Sequence, residues 1–89
     1  MSNAKVLMYT TQWCGYCAAA RELLQSKGVE FEDIDVGMDA KIRKQMTELS
    51  GGTTVPQIFI NDKPVGGYDD IAALEHNGEL DGLLNAAAG

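Results

Sequence analysis

The sequence runs to 89 residues and 9.6 kDa, below the roughly 100 to 150 residues of a common domain, so residues 1–89 are read as one domain around one small core. Apolar residues at 45%, charged residues at 22% and only two prolines exclude a disordered or low-complexity chain, and 7 Lys and Arg against 13 Asp and Glu, net −6, is the wrong sign for binding nucleic acid or an anionic membrane. No apolar run approaches the roughly 20 residues of a bilayer span and no basic segment leads into an apolar stretch at the N-terminus, so the expectation is a soluble protein that is not exported.

Ser2-Asn3-Ala4 is given no structural weight. Residues 5–10, Lys-Val-Leu-Met-Tyr-Thr, read as a short buried strand broken at Thr11-Gln12. Cys14 and Cys17 follow, the only cysteines, spaced Cys-x-x-Cys. Residues 18–27 are rich in helix formers, and Gly28 stands where a left-handed C-cap is favoured. The pair therefore sits at a strand-to-helix turn. Counting back from Leu24 by helical steps gives Ala20 and then Cys17, which places Cys17 on the core-facing stripe and leaves Cys14, at or before the first turn, toward solvent.

A disulfide between these two would close only a four-residue loop, a small chain-entropy gain, so a structural staple is disfavoured. One Cys-x-x-Cys is half of a zinc site, and the other half is missing: there is no second pair, and the lone His76 is distant in sequence and reads as a surface residue. A four-cysteine zinc site shared between two chains, or a pair of inert buried thiols, stays open on spacing alone. Redox use explains more. A thiol at a helix N-terminus meets the positive end of the macrodipole and free NH donors, which lower its pKa, so Cys14 is the expected nucleophile. A sheltered thiol one turn along can attack the mixed disulfide formed at Cys14, so Cys17 is the expected resolving residue, with no metal.

Residues 30–36 alternate polar and apolar around Phe31 and Ile34 to Val36 and read as a second strand. Asp39 caps a helix through Ser50, with Ile42, Met46 and Leu49 as its apolar stripe and Lys41, Arg43 and Lys44 mostly toward water; Gly51-Gly52 ends it. Met8, Met38 and Met46 are read as core residues. Residues 55–60, Asn61-Asp62 and residues 63–65 read as an antiparallel hairpin, broken by Gly66-Gly67. Tyr68-Asp69-Asp70 opens a helix carrying Ile71 and Leu74 and ended by Asn77-Gly78; Leu80, Leu83 and Leu84 give a last amphipathic turn or two before Ala86-Ala87-Ala88. The order is β-α-β, α, β-β-α plus a short C-terminal helix. Such a chain makes an α/β fold with a four-stranded mixed sheet flanked by helices, its first parallel pair joined by a right-handed crossover.

Cys14-Gly15-Tyr16-Cys17 in a strand-to-helix turn, Thr54-Val55-Pro56 before a strand, and Gly66-Gly67-Tyr68-Asp69-Asp70 opening a helix resemble, together and in this order, the glutaredoxin branch of the thioredoxin fold. The resemblance covers essentially residues 5–84. It implies a glutathione-dependent thiol-disulfide oxidoreductase of a reducing compartment, cytoplasmic, contributing to cell redox homeostasis. Glutathione would be the co-substrate and no permanent cofactor is expected. The partners would be disulfide-bonded or glutathionylated proteins, met as a monomer. The family's pattern further implies a cis bond at Val55-Pro56, with Thr54, Val55 and Pro56 receiving the cysteinyl segment of glutathione as a short strand. Gly67, Tyr68 and Asp69 would offer backbone NH groups to the γ-glutamyl carboxylate, Asp69 or Asp70 would face its ammonium group, and Tyr16 would pack on its backbone.

Three positions depart from the family's pattern. Thr11 stands where many members have a lysine, Gly52 where many have Arg, Lys or Gln, and Gly15 where proline is most familiar. The first two remove positive charge from an anion site, for which Arg43 or Lys44 could compensate. The third leaves a looser active turn, and members without that proline include dimers that hold a [2Fe-2S] cluster on the nucleophilic cysteine and glutathione. Trp13-Cys14-Gly15 also resembles thioredoxin, which gives a third reading, an electron donor reduced by a flavoenzyme.

Overall fold

The computed structural model describes residues 4–85; Ser2 and Asn3, and Ala86-Ala87-Ala88 at the other end, lie outside them. The chain runs β1 (Val6–Thr10), α1 (Gly15–Ser26), β2 (Glu32–Asp35), α2 (Ala40–Ser50), β3 (Gln57–Ile60), β4 (Lys63–Gly66), α3 (Tyr68–His76) and α4 (Leu80–Asn85). The sheet order is β2-β1-β3-β4, with β1 parallel to β2 and antiparallel to β3, and β4 antiparallel to β3. This is the mixed four-stranded sheet flanked by helices expected of the thioredoxin fold.

The period-two alternation of strands divides the core between the two faces of the sheet. Val6, Met8, Ile58 and Ile60 turn to one face and pack with Ala20 and Leu24 of α1, Ile71 of α3, and Leu80 and Leu84 of α4. Tyr9 and Phe59 turn to the other, where they meet at 5.9 Å in an edge-on pair and pack with Val36 and with Met46 of α2. The hairpin turn has Asn61 at φ 53° and Asp62 at φ 67°, the doubly positive pattern of a type I′ turn, which Asn and Asp tolerate better than other side chains. Lys27 at the end of α1 ties two later helices to the first, reaching Glu75 at 2.6 Å and Asp81 at 3.0 Å.

Several sequence expectations need correction. The second strand covers only Glu32–Asp35; Phe31 packs from the approach segment and Val36, whose NH still bonds to the Thr10 carbonyl at 2.8 Å, from the exit. Leu49 is not part of the α2 stripe: it lies more than half exposed while Met46 is fully buried and Ile42 half-buried. Met38 is not in the core. It is 93% exposed in the turn between β2 and α2, ahead of the Asp39 cap, whose carboxylate accepts from the NH groups of Lys41 (2.9 Å) and Ile42 (3.2 Å). Leu83 faces outward between buried Leu80 and Leu84. Ala4 does carry structural weight, since its NH donates to the Leu84 carbonyl at 3.2 Å and so ties the first residues to α4.

Candidate active site

α1 begins three residues earlier than its run of helix formers, at Gly15, and Cys14 is its N-cap. Cys14 has the extended backbone of a cap (φ −100°, ψ 115°), and its sulfur accepts from the NH of Cys17 at 3.3 Å, where an Asp or Ser oxygen would usually serve. The same sulfur lies 3.6 Å from the carbonyl of Val55, to which the thiol donates. Cys17 is fully buried on the stripe it shares with Ala20 and Leu24. Both thiols are free.

These environments push the two thiols apart. At Cys14, partial burial opposes ionisation, but the Cys17 thiol, the backbone NH groups of Cys17 and Tyr16 and the charge of Arg21 outweigh it and hold the group below the ordinary thiol value. At Cys17, burial dominates, with the neighbouring Cys14 adding to it, and pushes the thiol up to about 11 against a stabilising NH from Thr11. One sulfur is thus disposed to be a thiolate and the other to keep its proton.

Beside Cys14 lies an open groove of about 470 Å³ lined by Tyr16, Thr54, Val55, Pro56, Gln57 and the segment from Gly66 to Asp70. All the residues singled out for glutathione border it. The Val55-Pro56 bond is cis. Tyr16 is 63% exposed, and its ring sits 6.3 Å from that of Tyr68, tilted by 31°. On the far wall the chain turns from β4 into α3 through Gly66, at φ +120°, where a Cβ would fall 2.2 Å from an Asp70 carboxylate oxygen; only glycine suits this position. That oxygen accepts from the Gly67 NH at 2.8 Å. The Gly67 NH is therefore already engaged, and the donors left for an anion at this helix start are the Tyr68 and Asp69 NH groups, which have no intrahelical acceptor. Asp70 acts as the return half of a cap, and Asp69 is the exposed carboxylate beside it.

Two contributors escaped the sequence reading. Gln57 reads in sequence only as a strand residue, yet its side chain is buried and its amide donates to the Thr54 carbonyl at 2.9 Å, pinning the turn that forms the near wall. A Cβ on Gly52 would come 2.5 Å from this amide nitrogen, so a longer side chain there would require Gln57 to move. The signal was a polar residue opening an otherwise wholly apolar strand. The second is Arg21, one helical turn beyond Cys17, which bonds to Asp33 of β2 and to Thr10 of β1. Arg43 and Lys44 do not reach this groove: they border a separate concavity with Ala40, Thr47, Glu48 and Thr53, and Arg43 is bonded to the Gly37 carbonyl at 3.1 Å. Among the described residues no three His, Cys, Asp or Glu side chains gather as a metal site, and no helix is long and apolar enough to cross a membrane.

Comparison with known proteins agrees with this arrangement. The glutaredoxin family model matches residues 6–65. A glutaredoxin of Pseudomonas aeruginosa is 49% identical over 81 residues, covering 91% of this chain and 96% of its own. The solution structure of a Brucella melitensis glutaredoxin superposes with a TM-score of 0.83 at 48% identity, covering 96% of this chain and 92% of that one. A buckwheat glutaredoxin, solved as its glutathione complex, has a TM-score of 0.83 at 24% identity, with 93% and 78% covered, a likeness of fold.

Proposed function

This chain belongs to the glutaredoxin family and is a thiol-disulfide oxidoreductase, and we propose that it uses glutathione both to release glutathionylated proteins and to restore its own dithiol. The observation that carries the reading is the position of Cys14, a helix-capping sulfur 3.6 Å from the carbonyl of Val55, which lines a groove with backbone donors at one end and an exposed carboxylate beside them. Glutathione has two carboxylates and one ammonium group, and the groove offers complementary groups at the Tyr68-Asp69 helix start. The glutathione bound to the buckwheat relative supports the same assignment.

In this reading the Cys14 thiolate attacks the glutathione sulfur of a mixed disulfide. The protein thiol leaves as a thiolate and takes up a proton, and Cys14 carries the glutathione. A second glutathione thiolate then attacks the same glutathione sulfur, forming glutathione disulfide and freeing Cys14. With a protein disulfide, Cys14 forms the mixed disulfide with the substrate. Cys17 then attacks Cys14, releases the second substrate thiol and leaves a Cys14–Cys17 disulfide that glutathione reduces. Recognition depends on backbone NH groups more than on lysines, in keeping with Thr11, Gly52 and the net −6 charge. The protein is proposed to act as a monomer in the cytoplasm.

The test is reduction of the oxidised protein by glutathione, compared with reduction by thioredoxin reductase and NADPH. Turnover with glutathione is expected. Reduction by the flavoenzyme alone would replace this reading with a thioredoxin-like donor, and a brown dimer after anaerobic reconstitution with iron, sulfide and glutathione would point to a cluster carrier.

A further inference from the structure

The dithiol lacks the lysine near the nucleophile that the family's pattern supplies, yet the helix that carries Cys17 has a cation of its own one turn further on. Arg21 lies four residues after Cys17, so the two side chains share one face of α1 and sit one turn apart. Its guanidinium is held in place by both neighbouring strands. Nε donates to Asp33 of β2 at 2.6 Å, and one Nη donates to the Thr10 hydroxyl at 2.8 Å and to the Thr11 carbonyl at 3.4 Å. The Thr10 hydroxyl in turn donates to the other oxygen of Asp33. Thr10 and Thr11 are buried, and the side chains of Arg21 and Asp33 are each less than a third exposed. This closed set of bonds joins the helix that carries both cysteines to the strand end that leads into them.

We propose that Arg21 is the positioning residue of the dithiol step, fixing the Thr10-Thr11 segment against Cys17 and setting a permanent positive charge beside the sulfur that must become a thiolate. The inference rests on Cys17 being the resolving thiol. In that step Cys17 gives up its proton and attacks Cys14, the Cys14–Cys17 bond forms and the Cys14–substrate bond breaks. The substrate sulfur leaves as a thiolate and takes up a proton, so the dithiol is oxidised as the substrate is reduced. Thr11 connects the two roles, since its carbonyl receives Arg21 and it lies three residues before the Cys14 cap of the helix that carries Cys17. The carboxylates acting on the guanidinium from β2 are those of Asp33 and Asp35.

A cation beside the dithiol stabilises the reduced, thiolate-containing form, and stabilising that form raises the reduction potential. Arg21→Gln should therefore make the dithiol a stronger reductant. For a screened, partly exposed charge the expected change is about two- to fivefold in the thiol-disulfide equilibrium constant, or roughly 10 to 20 mV downward. Arg21→Lys, which keeps the charge, should recover most of that shift. Asp33→Asn keeps the arginine and removes its counter-ion, so its potential should hold or rise.

The potential is to be read by equilibrating each variant with dithiothreitol couples and trapping the thiols by alkylation, with a urea midpoint for each as the control for folding. This readout does not depend on glutathione. A wild type inactive with glutathione whose potential still responds to Arg21→Gln would sink the proposed function and leave the role of Arg21 standing. A folded Arg21→Gln protein with an unchanged potential would overturn the inference, as would Arg21→Lys or Asp33→Asn falling as far as Arg21→Gln, since loosening of the helix alone makes no distinction of charge.

Discussion

Replacing Gly66 by alanine isolates how the far wall of the groove is built. Two costs add at this position. The backbone at φ +120° lies outside the range L residues adopt, a strain of about 1 to 3 kcal/mol. The new methyl would also fall 2.2 Å from the Asp70 carboxylate, forcing it off the Gly67 NH and removing a helix cap of about 0.5 to 2 kcal/mol. The expected total is about 3 kcal/mol, which with a urea slope of about 1 to 3 kcal/mol/M moves the unfolding midpoint down by roughly 1 to 3 M. Asp70→Ala alone should lose only the cap. In the double variant the methyl has room, so the combined loss should be smaller than the sum of the two single losses. Urea unfolding of the four proteins, with the slopes compared, checks this. A Gly66→Ala midpoint equal to wild type, or strict additivity, would refute the close packing of the turn against Asp70.

Gly15→Pro should stabilise. Gly15 is the first helical residue, open space surrounds the position of its Cβ, and Cys14 already has the extended backbone a following proline requires; a gain of about 0.4 to 1 kcal/mol should appear as a melting temperature higher by about 2 to 8 °C. Leu24→Ala, at a fully buried position of α1, should cost about 2 to 5 kcal/mol, whereas Leu49→Ala, more than half exposed on α2, should stay within about 0.5 kcal/mol; equal losses in urea melts would contradict the burial assigned to these two helices. Stability should fall as pH rises from the ordinary thiol value of about 8.5 toward the value of about 11 at Cys17. Over that window the unfolded chain has lost a proton that the folded chain still holds. Cys17→Ala should remove that component of the fall, and a wild-type and variant difference independent of pH would contradict it.

The sequence was most informative where periodicity and chemistry coincide. Helical counting from Leu24 placed Cys17 in the core, and the helix start placed Cys14 at its cap; both placements hold because a cap and a buried stripe are local properties of α1. The Asn61-Asp62 turn and the Gly51 cap, at φ +79°, were legible for the same reason. What could not be read depends on side-chain contacts that only the folded backbone sets, whether three residues apart or twelve. The engagement of Gly67 by Asp70 needs the actual geometry of the α3 start. Arg21 is an ordinary helix residue until β2 brings Asp33 to it, and Gln57 gains a role only once Thr54 folds back over it. Met38 differs for a simple reason: an apolar residue type does not ensure burial in a turn that has no packing partner for it.

The central claim is the division of labour between the two sulfurs, and the most direct measurement is activity of Cys14→Ser and Cys17→Ser on two substrates, a glutathionylated protein and a protein disulfide. Cys17→Ser should keep deglutathionylation and lose reduction of the protein disulfide, while Cys14→Ser should lose both. Deglutathionylation persisting in Cys14→Ser would contradict the account.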